Sequence, residues 1–262
     1  MLFTKEEHSV TLATDKPKCN SIETFLAKKS ITIESTALKE PEYNNLALAD
    51  LAQTIAKAQL KGGNLFLKYI RKAINQKNNS CRFYMGDFSN EEQAACMEIA
   101  DILSDLGILV GARIENEILK ILTGTFCFPS VSFVQFINGR FLEIAIFLKV
   151  KSLLEAAEKD IELDFEILPN VKCKSLNGER EYDLLFRIQN QIYMVEVKSG
   201  QYRKNVFASY RERGIELDLY PDNVLIVVAD NKKEELSNNR HERCYIANYN
   251  TFEKNLIKMI TK

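Results

Sequence analysis

The apolar positions change period along the chain, and these changes predict its elements. Residues 1–40 are weakly periodic, with a short helix expected over residues 21–29 and an edge strand over residues 31–34. From residue 46 the pattern turns helical. Leu46, Leu48, Leu51, Ile55 and Leu60 form one apolar stripe, and Gly62-Gly63 breaks it. Leu65, Leu67, Ile70 and Ile74 predict a second helix whose other face holds Lys68, Arg71, Lys72 and Lys77. A short strand is expected at residues 81–84. Ser89 with Glu92 three positions on is a capping-box signature, opening a helix through Ala95, Ile99, Ile102 and Leu106 to Gly107. A further helix is expected over residues 114–122. Residues 123–137 read extended, with Phe126, Phe128, Val131, Phe133 and Phe136.

The second half is patterned differently. A helix is expected over residues 140–159, with Phe141, Leu142, Ala145, Ile146, Leu148 and Leu153 apolar. Residues 161–169, IELDFEILP, alternate apolar and acidic as a half-buried strand does, and residues 171–174 continue it. Asn177-Gly178 is a hairpin-turn signal. Two apolar runs, residues 182–188 and 191–197, flank Gln189-Asn190 and predict a second hairpin. A helix follows over residues 201–220. NVLIVVA, residues 223–229, reads as a strand buried on both faces. A last strand is expected at residues 243–247 and a closing helix at residues 251–260.

A length of 262 residues suits one large or two modest domains, and 46% hydrophobic residues allow a substantial core. Lys+Arg 35 against Asp+Glu 36 leaves a formal net charge of −1, so any contact with nucleic acid rests on a local basic patch. Cys19, Cys81, Cys96, Cys127, Cys173 and Cys244 contain no CxxC pair, which argues against a zinc site and for reduced thiols. The N-terminal residues lack a signal-peptide pattern, and no apolar stretch reaches bilayer length. A cytoplasmic protein without a membrane partner is expected. Gly62-Gly63 lacks the spacing of a phosphate loop and reads as a helix–helix turn.

The charged residues of the second hairpin are its unusual feature. In an antiparallel hairpin turning near Asn190, the start of one strand lies beside the end of the other. Asp183 and Glu196 are then neighbours. Glu196 and Lys198, two apart on a strand, project together. Two carboxylates and an ammonium suit a divalent metal, Mg²⁺ or Mn²⁺, and a phosphodiester. Glu-x-Lys alone arises by chance roughly once in a chain of this size. A second acid-x-Lys, Asp230-Asn231-Lys232, lacks an opposed acid and reads as a strand end or helix cap.

The arrangement resembles the PD-(D/E)XK nuclease superfamily, whose core is an acid, a gap, then Glu-x-Lys at the end of the next strand. FINGRFLE, residues 136–143, followed by EREYDLLFRIQNQIYMVEVKSG, resembles in particular the nuclease part of CRISPR-associated CARF-domain effectors, from Phe136 to the region of Asn231. The resemblance implies an α/β fold: a restriction-endonuclease-like mixed sheet flanked by helices over residues 139–262, behind a mainly helical N-terminal domain of residues 1–138. That first domain fits a winged-helix-like module or a plain helical platform, and the platform is preferred. By the same resemblance Glu143 completes the acidic site. Asp183, Glu196 and the Val197 carbonyl hold the metal, and Lys198 acts on water and phosphate. Arg203, Lys204 and Arg211 on the following basic helix contact the backbone of DNA or RNA. The otherwise expected role for Glu143 is a surface pair with Arg140 or Lys149.

The function this implies is metal-dependent hydrolysis of nucleic acid. The alternative is a non-catalytic nucleic-acid-binding or assembly subunit that keeps the fold. The related effectors carry a sensor domain for cyclic oligoadenylates, but the residues before Phe136 do not alternate as such a domain does, so gating is not carried over. A homodimer is expected, because the effectors are dimeric and residues 126–136 are rich in apolar side chains.

Overall fold

The computed structural model describes residues 21–127, 131–160, 163–176, 178–199, 204–229 and 244–262. Ser21 caps the first helix, α1 (Ile22–Ala27), its hydroxyl accepting from the Thr24 amide. Next come β1 (Thr32–Ser35), the single turn α2 (Pro41–Asn44) and two long helices, α3 (Leu46–Ala58) and α4 (Asn64–Asn75). The wide turn Gln59–Gly63 joins α3 to α4, with Gly62 at φ 115°. Leu46 and Leu65, expected on the buried stripes, are exposed, while Phe66 and Leu67 are fully buried. After β2 (Ser80–Tyr84) comes α5 (Asn90–Asp105), whose capping box is complete. The Ser89 hydroxyl accepts from the Glu92 amide, and the Glu92 carboxylate from the Ser89 amide.

Residues 114–122 do not form the expected helix. β3 (Leu109–Asn116) and β4 (Ile121–Phe126) occupy them, and with β2 they make a small antiparallel sheet in the order β2-β4-β3. Asn116 Oδ1 accepts from the amides of Ile118 and Leu119 and so closes the turn. Leu109 and Leu122 are buried, whereas Ile118 and Leu119 face solvent. Tertiary packing thus overrides a spacing that looks helical. The extended reading of residues 123–137 holds only as far as Phe126, because α6 (Val131–Gln135) is helical. Phe126, Phe133 and Phe136 are buried within the protomer, so they offer no apolar surface for a dimer; Phe128 lies outside the described residues.

The wide turn Phe136–Arg140 leads into α7 (Phe141–Asp160). The hairpin-rich part is β5 (Phe165–Ser175), β6 (Gly178–Ile188) and β7 (Gln191–Lys198), followed by α8 (Lys204–Glu216), β8 (Val224–Val228), β9 (Tyr245–Ala247) and α9 (Phe252–Ile260). Residues 161–162 and Asn177 are outside the described residues. The sheet order is β1-β5-β6-β7-β8-β9, antiparallel from β1 to β7 and parallel from β7 to β9. This is a mixed sheet flanked by helices. β1, expected as an edge strand, is one.

Alternation along the inner strands sorts the core into two. Tyr193, Val195, Leu225 and Val227 face α3, α7 and α9. Ile192, Met194, Val224 and Ile226 face α1 and α8. Among the described residues no helix is long and apolar enough to cross a membrane. Cys81, Cys96 and Cys173 are buried free thiols, and Cys127 is an exposed one.

Gly139 fixes where α7 begins relative to the sheet. Its φ of 156° with ψ of −23° is a conformation L residues rarely adopt, and an added Cβ would lie 2.4 Å from Ser199 Oγ. Ser199 follows the last residue of β7 and donates from Oγ to the Asn138 carbonyl at 3.2 Å. Gly139→Ala should therefore lower thermal stability by ~1–3 kcal/mol through overpacking and strain. A second change, Ser199→Ala, should recover part of that loss in a melting experiment. Equal melting temperatures for wild type and Gly139→Ala would count against this packing.

Candidate active site

The paired residues of β6 and β7 run from Ile188↔Gln191 to Leu184↔Val195. One step further Asp183 faces Glu196, at the end of the run. There the Val197 amide donates to Asp183 Oδ2 at 2.7 Å, so a side chain rather than a strand carbonyl satisfies it. On the other side of β6, the pairs Pro169↔Leu184 and Val171↔Tyr182 bracket Asn170, which faces Asp183. Asn170, Asp183 and Glu196 thus form one row across β5, β6 and β7.

Each member of the row meets a different neighbour. Glu196 is fully buried, and its Oε2 accepts from Arg213 Nη1 of α8 at 2.7 Å. The same Nη1 donates to the Glu181 carbonyl at 2.9 Å. Glu196 Oε1 is buried with no hydrogen-bond partner. Glu143, in the first turn of α7, approaches from the opposite face of the sheet and accepts on Oε2 from Asn170 Nδ2 at 3.5 Å. It does not form the surface pair considered from sequence: Arg140 pairs with Glu40, and Lys149 with Glu253.

A cavity of about 650 Å³ opens at this end of the sheet. Glu143, Asn170, Asp183, Val197, Lys198 and Arg213 line it, with Glu40, Arg140, Glu181 and Tyr210 around them. Glu196 lies behind Arg213 rather than in the wall. Past Lys198, the Ser199 carbonyl accepts from Gln59 Nε2 at 3.3 Å and Arg71 Nη1 at 3.4 Å. The helices of the N-terminal half therefore grip the end of β7.

Burial governs the acids. Desolvation, then the charge of Asp183, push the Glu143 carboxyl up to about 8, against a smaller opposing pull from Arg140. Burial pushes Asp183 up to about 6, although the Val197 amide and Arg213 pull it down. Glu196 is raised well above the ordinary range by burial and by Asp183, which together outweigh Arg213.

The structure thus brings Glu143, Asp183, Val197 and Lys198 to one cavity, with Glu196 directly behind it. Arg211 is exposed on α8, stacks over Tyr220 at 5.4 Å and does not line the cavity. Arg203 and the decoy Asp230 lie outside the described residues, as does the side chain of Lys204. Sequence reasoning singled out neither Arg213 nor Asn170. The register of the strands, once known, points to Asn170, whereas Arg213 was one of several basic residues on its helix.

Among the described residues no three His, Cys, Asp or Glu side chains stand close enough to hold a metal by themselves. The donor set nevertheless fits a hard divalent cation. It is all oxygen, and Glu196 Oε1 and Asn170 Oδ1 are buried acceptors with no partner.

No family model matches the chain, and no curated protein matches its sequence. Solved structures do. The likeness is one of fold. Protein VC1899 from Vibrio cholerae superposes with a TM-score of 0.60 at 16% identity, over 91% of this chain and 60% of that one. Can2 from Sulfobacillus thermosulfidooxidans, solved in complex with cyclic tetra-adenylate (cA4), gives a TM-score of 0.61 at 13% identity, over 92% of this chain and 61% of that one. The chain spans about three fifths of the length of each.

The raised carboxyls set the sign of a pH dependence. Between their ordinary values, 4.5 for Glu143 and 3.8 for Asp183, and their folded values of about 8 and about 6, the folded protein binds more protons than the unfolded chain. Stability of the metal-free protein should fall as pH rises from about 4 to about 8. Thermal melts in chelator across this range check it, with Glu143→Gln expected to flatten the decline above pH 6. A melting temperature that climbs steadily to pH 8 would contradict it. Arg213→Ala, which leaves Glu196 buried without its cation, should cost ~3 kcal/mol in a denaturant titration, less if Glu196 takes up a proton.

Proposed function

We propose that the protein is a metal-dependent nuclease of the PD-(D/E)XK type, hydrolysing phosphodiester bonds of DNA or RNA. The observation that carries this reading is the opposition of Asp183 and Glu196 on adjoining strands, with Lys198 and Glu143 at the same cavity. Four features support it: a mixed sheet with helices on both faces, all-oxygen donors, raised carboxyls, and basic side chains in the cavity wall. The fold shared with Can2, solved with a cyclic oligonucleotide, is consistent with a role on nucleic acid.

In this reading Asp183, Glu196 and the Val197 carbonyl would hold Mg²⁺ or Mn²⁺, with Glu143 completing the acidic site from α7. When bound, such a cation supplies Lewis-acid activation of water and neutralises charge on the phosphate. The protein's own contribution is positional and electrostatic. Asp183 is fixed by the Val197 amide, so its free oxygen is aimed before any ligand arrives. Lys198 lines the cavity and forms no salt bridge among the described residues, which leaves its ammonium available to charge developing on the phosphate. Arg213 neutralises Glu196 and adds a second cation to the wall. None of these contacts reads a base, so recognition is of the backbone.

The test is cleavage of single- and double-stranded DNA and RNA with Mg²⁺, Mn²⁺ or chelator. Asp183→Asn, Glu196→Gln and Lys198→Ala should each lower the rate ~100-fold or more while the protein stays folded. Because the residues act as a unit, the double variant Asp183→Asn/Lys198→Ala should be scarcely slower than either single one. A wild-type protein that cleaves none of these substrates with either metal would overturn the reading.

A further inference from the structure

Resting on the nuclease reading, we propose that Asn170 is a neutral oxygen ligand for the divalent cation at the end of the sheet. It occupies the third position of the row with Asp183 and Glu196, opposite Asp183. It also lines the same cavity as Glu143 and Asp183. The residue is only 8% exposed, and its Oδ1 is buried with no hydrogen-bond partner. In native structures such an atom is nearly always completed, by water or by a ligand. The Asn170 Nδ2 faces Glu143 Oε2 at 3.5 Å, with Oδ1 on the other side of the amide.

The acids alone leave room for such a donor. No three of them stand in ligating positions among the described residues, and the charge of Asp183 already raises the carboxyls of Glu143 and Glu196. A fourth carboxylate would add repulsion. An amide oxygen adds a hard donor without charge, and hard divalent cations accept carbonyl-type oxygens readily. The competing explanation is local. Asn170 sits at φ 51° between two paired positions of β5, and asparagine tolerates that left-handed conformation better than other non-glycine residues.

Glycine separates the two explanations, because it keeps the backbone and removes the amide. The experiment titrates Mn²⁺ by calorimetry into the full chain without nucleic acid, for wild type, Asn170→Gly and Asn170→Asp, with melting temperatures in chelator alongside. Asn170→Gly should melt as wild type does in chelator and bind Mn²⁺ about tenfold more weakly. Asn170→Asp, which keeps an oxygen and adds charge, should bind more tightly than wild type. Wild-type affinity in Asn170→Gly would overturn the proposal and leave Asn170 a backbone residue. Should the glycine variant fail to fold, Asn170→Asp decides: tighter Mn²⁺ binding supports ligation, and unchanged or weaker binding overturns it. A wild-type protein that takes up no Mn²⁺ at all would instead sink the metal-dependent reading, and this proposal with it.

Discussion

The constraint on which the site depends is the removal of three carboxylates from water at one end of a sheet. Each would be costly there alone, and each is met from a different direction. Arg213 reaches Glu196 from α8, the Val197 amide reaches Asp183 along the edge of β7, and Arg140 lies near Glu143 on α7 while paired with Glu40. These partners are held by packing that has nothing to do with charge. α7 and α8 press on opposite faces of β6 and β7 through separate apolar cores. The polar network is thus built on two hydrophobic interfaces at once, and a shift of either helix would alter its distances.

The compensation at this end of the sheet is incomplete. Acceptors on Glu196 and Asn170 lack partners, while Lys198 and Arg213 present donors to the cavity. A network that served stability alone would be closed, since unmet buried groups are expensive. Here Asn170 Oδ1, Lys198 and Arg213 face one space of about 650 Å³, with Glu196 Oε1 behind it. That distribution is what separates a site from an ordinary charged strand end.

Much of this was legible in the sequence where period and turn chemistry agreed. The hairpin around Gln189-Asn190, the buried run of β8 and the capping box of α5 each had a local signal that tertiary packing reinforced. The pairing of Asp183 with Glu196 followed from register alone. The hairpin of β3 and β4 was not legible, because isoleucine and leucine at residues 114–122 fit either period, and only contact with α5 selects alternation. Arg213 was hidden for another reason. Helix α8 holds several basic residues, and only its rotation against the sheet brings Arg213, rather than Arg211, to Glu196. Asn170 looked like an ordinary interruption beside Pro169, since nothing local announces an amide aimed inward.

The pairing of β1 with β5 has a kinetic side. Thr32 lies opposite Lys174, so the edge strand of the larger sheet is synthesised well before its partner exists. At ordinary translation speeds of ~5–20 residues per second, the interval is on the order of ten seconds. Throughout it β1 is a strand without a ladder. Its four residues, TIES, are short, polar and mostly exposed, with an acid among them. Such a segment is poorly suited to pair with a stranger. The polarity that makes β1 a weak strand is therefore also what lets it wait. On its arrival the long, more apolar β5 gains a cover for the side that would otherwise invite another chain.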